Sequence, residues 1–152
     1  MLNSNQILLV EDDNVDAMTV RRALKDLGAP HTLVQLVNGE QALKYLTDES
    51  NKKPSVILLD LNMPRMNGIE FLKIIKADDA LKKIPVVVLT TSRSEKDITE
   101  SFGHGVAGYM VKPADYKKFV ETIRTINLYW TLSELPSRKA DYEKYKIQSS
   151  TD

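Results

Sequence analysis

Three carboxylates in the sequence follow apolar runs of strand length. Glu11 and Asp12 come directly after the first run, and Asp60 comes directly after the third. Like charges at close range raise one another's pKa unless a cation neutralises them. Mg2+ prefers hard oxygen ligands and usually combines one or two carboxylates with water and a phosphate oxygen. The residues therefore predict a magnesium site, with Asp12, Asp60 and the main-chain carbonyl of Asn62 as ligands and Glu11 holding a metal-bound water.

Asp60 could also act as a nucleophile, because carboxylates attack phosphorus to form aspartyl-phosphates. Phosphoryl transfer requires mainly positioning and positive charge around the equatorial phosphoryl oxygens. Mg2+ can neutralise one of these oxygens and Lys112 a second, while the Thr90 hydroxyl and the Thr91 main-chain amide can bind the third. The combination predicts phospho-acceptor chemistry at Asp60.

Each of these residues also has a simpler structural interpretation. An Asp at a strand end is more often a helix cap or turn former than a nucleophile, and acidic residues commonly occupy helix N-termini. A single Lys-Pro pair or a strand-end Thr carries equally little information. The functional interpretation is favoured because these residues occur in strand order, at one end of the predicted sheet, and have complementary roles.

Five apolar runs alternate with segments of polar or helical-period sequence. The runs are residues 7–10, 32–37, 56–59, 86–89 and 106–111. The first and fourth lack period-two alternation, so they predict parallel strands covered on both faces. Helices are predicted at residues 15–27, 41–46, 68–77 and 95–102 and after the last strand. The pattern indicates an α/β domain of five β/α units, in which functional groups gather at the carboxyl ends of the strands.

Asn38 and Gly39 allow two interpretations. The pair is a common hairpin turn, but residues 41–46 continue with a helical pattern, which favours a turn from strand to helix. Pro85 is expected where the fourth strand begins, because a missing amide hydrogen is least harmful there.

The last predicted helix carries two apolar sets. One is a stripe spaced for packing on the sheet, formed by Phe119, Ile123, Ile126 and Trp130. The second lies well round the helix and has no evident core to enter; it comprises Leu128, Leu132 and Leu135. Two interpretations of the second set stay open, a folded-back tail and a contact with a partner or a second copy.

Composition limits the classes of function. The chain has 152 residues, of which 42% are hydrophobic, so it can bury one substantial core. Lys plus Arg and Asp plus Glu both total 21, so no net charge attracts nucleic acid or an anionic membrane. There is no cysteine, which suits a reducing compartment, and the apolar runs are too short to span a membrane. We expect a cytoplasmic protein without nucleic-acid or membrane partners.

Four blocks of the sequence resemble the signature of response-regulator receiver domains of the CheY-like type. The blocks are residues 10–13 (Val-Glu-Asp-Asp), 58–64 with Gly68, 85–90, and 108–113 (Gly-Tyr-Met-Val-Lys-Pro). The resemblance extends over about residues 5–130, and the order and spacing of the blocks are receiver-like. It implies a flavodoxin-like fold whose five parallel strands have the order 2-1-3-4-5.

The resemblance implies a role for each residue of the site. Asp60 corresponds to the phospho-acceptor, Glu11 and Asp12 to the metal-site acids, and Lys112 to the lysine of that family. Thr90 corresponds to the switch hydroxyl, which moves toward the phosphoryl group in relatives.

Two further expectations come from the same resemblance. Tyr109 corresponds to the switch aromatic, which swings inward in relatives and alters the face formed by the fourth helix, the fifth strand and the fifth helix. From the residues alone, Tyr109 would be a half-buried strand aromatic. The Lys112–Pro113 bond is expected to be cis, as in relatives, since cis bonds are essentially confined to proline. Glu11 is a mild departure, because many relatives have Asp at that position.

The end of the chain extends beyond a minimal receiver. Residues 128–136 resemble the small single-domain regulators that partner bacterial and cyanobacterial phytochrome kinases, in which this segment helps to form homodimers. The resemblance therefore implies a sensor histidine kinase, of phytochrome type, as donor and a homodimer as the assembled form. We expect a receiver domain with an extended last helix at residues 5–136 and a polar C-terminal tail at residues 137–152.

The favoured function is a two-component response regulator, a binding switch that acts through an unknown downstream protein and catalyses only its own phosphorylation and dephosphorylation. An alternative is a Mg2+-dependent phosphohydrolase with Asp60 as nucleophile. Such enzymes usually need a second acid two residues later, and that position is Asn62 here. A flavodoxin is disfavoured, because residues 11–13 are acidic and would repel the phosphate of the flavin.

Overall fold

The structure is a computed structural model that describes residues 6–28 and 32–132, with side chains as far as Trp130. Strands and helices alternate through the described part of the chain. The elements are β1 (Gln6–Val10), α1 (Asn14–Asp26), β2 (Thr32–Leu36), α2 (Gly39–Thr47), β3 (Val56–Leu59), α3 (Gly68–Ala77), β4 (Val86–Thr90), α4 (Glu95–Gly103), β5 (Gly108–Val111) and α5 (Tyr116–Leu132). The predicted β/α alternation is confirmed.

The five strands form one sheet in the order β2-β1-β3-β4-β5, and each neighbouring pair is parallel. This is the predicted flavodoxin-like order. The strand order reverses beside β1, so the loops after β1 and β3 diverge and leave a crevice at the carboxyl edge. Register places Val10 of β1 opposite Leu59 of β3, so the residues that follow these two strands are neighbours in space.

Helices cover both faces of the sheet. Alternate strand residues enter opposite cores, so that Leu8 packs with α2 and α3 while Ile7 and Leu9 pack with α1 and α5. Burial of each such aliphatic side chain contributes about 1.5–3 kcal/mol to folding. The uniformly apolar strands are explained by this double coverage.

Asn38 ends the β2 connection and caps α2, since its side-chain oxygen accepts a hydrogen bond of 2.9 Å from the main-chain nitrogen of Gln41. An Asn in this position satisfies an amide that the first helical turn leaves without a partner. The turn from strand to helix is therefore confirmed, and the hairpin interpretation is wrong.

The predicted fifth strand was too long at its beginning. The strand starts at Gly108 rather than at residue 106. The amide of Val106 bonds the Ser101 carbonyl at 3.3 Å, which closes α4, and the amide of Ala107 bonds the Val86 carbonyl at 2.8 Å. Val106 is buried, so its apolar character reflects packing below the helix end and not strand pairing.

The predicted stripe of α5 is confirmed. Phe119, Ile123, Ile126 and Trp130 are all buried and belong to the core beneath α1 and α5. The indole nitrogen of Trp130 donates a hydrogen bond of 3.2 Å to the carbonyl of Ser55 just before β3.

The second apolar set of α5 is only partly described. The side chain of Leu128 is 52% exposed, which agrees with a position away from the core. The side chain of Leu132, the whole of Leu135 and the expected tail at residues 137–152 lie outside the described residues, so both interpretations stay open. None of the described helices combines the length and the apolar character that a membrane-spanning helix requires.

Candidate functional site

Glu11, Asp12 and Asp60 meet at the carboxyl edge of the sheet. The amide of Asp60 bonds the carbonyl of Val10 at 3.0 Å, and the amide of Glu11 bonds the carbonyl of Leu36 at 2.9 Å, so both acids are held as extensions of paired strands. Each of the three acids offers a carboxylate oxygen, and these oxygens all lie within 4.8 Å of one another. The sequence prediction that these acids converge is therefore met.

The three acids differ in their contact with water. Glu11 and Asp60 are buried at 1% and 6% relative exposure, whereas Asp12 is exposed. Burial raises the pKa of Glu11 to about 8; the nearby Asp60 charge adds to this effect and the hydrogen bond from Lys112 opposes it. The arrangement concentrates carboxyl groups at a rim that remains open to solvent on the Asp12 side.

Lys112 reaches this rim from the end of β5. Its ammonium nitrogen lies 2.5 Å from Glu11 Oε1, 2.7 Å from Asp16 Oδ2 and 3.7 Å from Asp60 Oδ2. Only 5% of the Lys112 side chain is exposed. Burial by itself would lower the pKa of Lys112, but hydrogen bonds to Asp16 and Glu11 and the charge of Asp60 outweigh it and raise that pKa above its ordinary value. The lysine is therefore charged.

Asp16 was not among the residues singled out from the sequence. It lies in the first turn of α1, where the N-cap Asp13 accepts a hydrogen bond of 3.1 Å from its amide. The available signal was its place five residues after Glu11, at a helix end that points toward the carboxyl edge of the sheet. A carboxylate in a first helical turn is commonly explained by the helix dipole, so the contact of Asp16 with Lys112 had no distinctive signature.

Thr90 and Thr91 follow β4 at the same edge. Thr90 is fully buried; its carbonyl accepts a hydrogen bond of 2.7 Å from the amide of Lys112, and its hydroxyl oxygen accepts one of 3.4 Å from the amide of Ser92. Thr91 is exposed and lines a cavity beside Lys112. Both threonines are at the predicted end of the sheet.

Tyr109 is half-buried in β5, as its structural interpretation requires. Its hydroxyl donates a hydrogen bond of 3.0 Å to the carbonyl of Ser92 in the loop after β4. Burial raises the pKa of Tyr109, and its hydrogen bond to Ser92 opposes the rise. The side chain of Ser92 in turn donates to Asp97 at 2.6 Å. Tyr109 thus links β5 to the start of α4, and its role as a switch stays a prediction.

The expectation of a cis bond between Lys112 and Pro113 is wrong. Among the described residues there is no cis peptide bond. The trans form is the lower in energy for most bonds that precede proline, by about 0.5–1 kcal/mol.

Asn62 and Asp12 line an open cavity of about 410 Å3 on the outer side of the acids, together with Asp97 of α4. The amide of Asn62 donates a hydrogen bond of 3.3 Å to Asp60 Oδ1, which orients that carboxylate. Carboxylate and carbonyl oxygens around an accessible space suit a hard divalent cation. The acidic site therefore fits divalent metal binding.

Gly68 brings the start of α3 against the loop that carries Asp60. Its amide bonds the Leu61 carbonyl at 3.0 Å. A Cβ atom at this position would lie 2.5 Å from the Asp60 carbonyl oxygen and 2.6 Å from the Leu61 Cα. The position requires glycine because main chain meets main chain here.

Comparison with known proteins identifies similar sequences. The family described as response regulator receiver domain matches residues 7–124. Rcp1 of Synechocystis sp. is 39% identical over 128 residues, which cover 82% of this chain and 87% of the relative. The probable methanogenesis regulatory protein FilR2 of Methanothrix harundinacea is also 39% identical, over 127 residues that cover 82% of each protein.

Solved structures give the same result for the whole fold. The phosphorylated cyanobacterial phytochrome response regulator RcpA superposes with a TM-score of 0.82 at 38% identity, covering 88% of this chain and 99% of that chain. The Mn2+-bound form of response regulator Rcp1 also gives a TM-score of 0.82 at 38% identity, covering 87% of this chain and 99% of that chain.

Proposed function

We propose that Asp60 accepts a phosphoryl group from a sensor histidine kinase. The chain belongs to the family of response-regulator receiver domains. Proteins of this family are signalling proteins that accept phosphate from histidine kinases. The observation that carries the assignment to Asp60 is the buried Lys112 ammonium, 3.7 Å from Asp60 Oδ2 at a rim of three acids. A carboxylate beside a fixed cation and an open cavity suits attack on phosphorus.

In the proposed step, a carboxylate oxygen of Asp60 forms a bond to the phosphorus of a phosphohistidine. The bond from phosphorus to the imidazole nitrogen breaks, and that nitrogen keeps the electron pair and takes a proton from solvent. Lys112 neutralises one phosphoryl oxygen, while the hydroxyl of Thr90 and the amide of Thr91 bind another. These groups stabilise charge by position and are not consumed.

Mg2+ is the proposed cofactor. Asp12, Asp60 and the main-chain carbonyl of Asn62 would hold it, and Glu11 would hold a metal-bound water. When bound, Mg2+ supplies positive charge to the phosphoryl oxygens. The clustered carboxylate oxygens support this assignment, and so does the Mn2+-bound form of the related Rcp1.

We do not propose an output enzyme. The alternative phosphohydrolase needs an acid that protonates a leaving group, and Asn62 occupies the position two residues after Asp60 where that acid usually lies. In the described part of the site, the remaining acids contact Lys112 or the candidate metal cavity. Chemistry confined to the protein's own phosphorylation and dephosphorylation is therefore favoured.

The proposed output is a change of the surface formed by α4, β5 and α5. Thr90 would move toward the phosphoryl group, and Tyr109, already bonded to Ser92 beside α4, would follow. An unknown downstream protein would bind the altered surface. Nucleic acid is not proposed as the partner, because Lys plus Arg and Asp plus Glu both total 21 and leave no net positive charge to attract it.

A phytochrome-type kinase is the proposed donor, and the cytoplasm is the proposed location. The support is the similarity to RcpA, a phytochrome response regulator. FilR2, a probable methanogenesis regulator, is as similar in sequence as Rcp1. Phosphotransfer profiling against kinases of both kinds would choose between them, and transfer only from a kinase without a phytochrome module would contradict the proposal.

A homodimer through the last helix is the proposed assembly, with residues 5–136 as the receiver and residues 137–152 as a tail. Leu128, 52% exposed on α5, supports this arrangement. Changing Leu128 to Asp should lower the solution mass from dimer to monomer, as should changing Leu132 and Leu135 to Asp. Ile74→Asp, at a 44% exposed position on α3, is the matched control. A monomeric wild type, or equal effects of Leu128→Asp and Ile74→Asp, would contradict the proposal.

Incubation with acetyl phosphate and Mg2+ tests the central step. The intact mass of the wild type should rise by one phosphoryl group, and that of Asp60→Asn should not. Asp26→Asn makes the same change of charge at the end of α1 and should behave as the wild type. Equal phosphorylation of the Asp60→Asn variant and the wild type would refute the assignment.

A further inference from the structure

Lys112 contacts its neighbouring carboxylates unequally. Its ammonium lies 2.5 Å from Glu11 and 2.7 Å from Asp16, but 3.7 Å from Asp60. We propose that Asp16 is a positioning residue that holds Lys112 back from Asp60 and competes with the phosphoryl group for the ammonium. This inference rests on the proposed function of Asp60 as phospho-acceptor.

The fold fixes both partners of the Asp16–Lys112 pair. The amide of Asp16 is bonded to the N-cap residue Asp13 at 3.1 Å, and the amide of Lys112 is bonded to the Thr90 carbonyl at 2.7 Å. The two main chains are therefore anchored on α1 and on the end of β5. The 2.7 Å contact thus joins two elements that are far apart in sequence.

Asp16 competes for the position and the charge of the ammonium, and not for its last proton. Lys carries three donors, and two of them are used by Glu11 and Asp16. The remaining distance of 3.7 Å to Asp60 Oδ2 exceeds a charge-assisted hydrogen bond, which is about 2.7–2.9 Å. The third donor is left for a phosphoryl oxygen on Asp60, which must share the charge of the ammonium with Asp16 while Asp16 and Glu11 hold the nitrogen in place.

Solvent can reach the Asp16 side of the pair. The Asp16 side chain is 31% exposed, whereas those of Lys112 and Glu11 are 5% and 2% exposed. Asp16 and Lys112 also line a cavity of about 350 Å3 between α1 and the start of α5, with Val15 and Tyr116 among its walls. Water can therefore replace the ammonium at Asp16 without opening the core, whereas Glu11 has no such substitute.

The test measures the affinity of the protein for beryllofluoride, a phosphoryl mimic, by calorimetry at saturating Mg2+. Asp16→Asn removes the charge and retains the size and an acceptor oxygen, so Lys112 becomes more available to the mimic. Binding should become about threefold to fivefold tighter, because a partly exposed ion pair is worth at most about 1 kcal/mol, or fivefold.

Asp13→Asn is the matched control. It removes one charge from the same helix end, and Asn is as good an N-cap as Asp, but Asp13 makes no ion pair with Lys112 among the described contacts. Long-range effects on the metal and the mimic should therefore appear equally in both variants. The excess in Asp16→Asn measures the part that passes through Lys112.

A double-mutant cycle with Lys112→Met supplies the decisive readout, with Lys112→Gln as a second background if the first does not fold. If Asp16 acts through Lys112, its replacement by Asn should change the affinity no more than the Asp13 control once the ammonium is removed. A merely structural role of Asp16 would persist in that background.

Three results would overturn the inference. They are weaker binding by Asp16→Asn than by wild type, binding equal to that of Asp13→Asn, or a full Asp16 effect retained without the Lys112 ammonium. Wild-type binding that is absent, or that survives unchanged in Asp60→Asn, would instead refute the proposed function and this inference with it. The two failures are therefore distinguishable.

Discussion

Gly68→Ala should disturb both stability and phosphorylation through one contact. The added Cβ would meet the Asp60 carbonyl oxygen at 2.5 Å, and ordinary contact begins at 3.4 Å, so the two groups must separate by about 0.9 Å. Both sides of the contact are main chain, which is anchored by the bond from the Gly68 amide to Leu61. Overpacking of this kind costs about 1–3 kcal/mol. In a chain of this length that cost lowers the melting midpoint by about 2–12 °C.

The same shift displaces the main chain of the phospho-acceptor. A misplacement of about 1 Å at a reacting group can cost as much as about a hundredfold in rate. The rate of phosphorylation by acetyl phosphate should therefore fall by about tenfold to a hundredfold in Gly68→Ala. This loss should remain under conditions in which the variant is fully folded.

Two other glycines provide a graded comparison. At Gly39 the nearest atom to an added Cβ is Met66 Sδ at 2.8 Å, and a flexible side chain can move, so Gly39→Ala should cost less than about 1 kcal/mol. At Gly103 nothing lies within 4 Å, so Gly103→Ala should leave stability unchanged or raise it by about 0.5–1 kcal/mol. Trp130, the only tryptophan and a buried one, reports urea unfolding by fluorescence. Equal stability and equal phosphorylation rates for Gly68→Ala and Gly103→Ala would refute the reasoning.

Three further outcomes are expected. Mg2+ affinity should rise with pH up to about 8, by at most about tenfold per pH unit, because burial raises the pKa of Glu11 to about 8 and a proton competes with the metal below that pH. Calorimetry should show that Glu11→Gln abolishes this dependence on pH. An equal dependence in the variant and the wild type would contradict the role given to Glu11. Lys76→Met should lower the free energy of unfolding by about 1–2 kcal/mol, measured with urea, because the Lys76 ammonium donates a hydrogen bond of 3.1 Å to the Ile84 carbonyl. An unchanged free energy of unfolding would show that this bond contributes nothing. Trp130→Phe should lower the free energy of unfolding by about 1–3 kcal/mol, measured by thermal unfolding, since it removes buried area and the hydrogen bond to the Ser55 carbonyl. An unchanged melting midpoint would contradict the packing described for Trp130.

Sequence pattern was sufficient for most of the fold because the three central strands, β1, β3 and β4, are buried on both faces. The bounds of β3 and α3 agree with the predicted residues 56–59 and 68–77. The start of β5 was missed because Val106 is apolar for a different reason, packing under the end of α4. Apolar character alone does not distinguish strand pairing from burial in a turn.

Part of the candidate site could be predicted because strand pairing determines which residues meet at the edge of the sheet. Glu11 and Asp60 follow strands whose pairing is fixed by the fold, so their meeting follows from topology. Asp16 was missed because its contact with Lys112 depends on how α1 is rotated against β5, a long-range detail that residue spacing does not encode. The expectation of a cis bond between Lys112 and Pro113 was wrong. It had been transferred from relatives and did not come from the local sequence.

The central claim is that the acids and the lysine at the sheet edge make Asp60 a phospho-acceptor. Its most direct test is to phosphorylate the wild type with acetyl phosphate, trap the acyl-phosphate by borohydride reduction, and locate the reduced residue by peptide mass spectrometry. The account predicts reduction at Asp60 alone, and only when Mg2+ is present. Reduction at Glu11, at Asp12 or at a carboxylate away from the rim, or labelling that persists with a chelator, would contradict it.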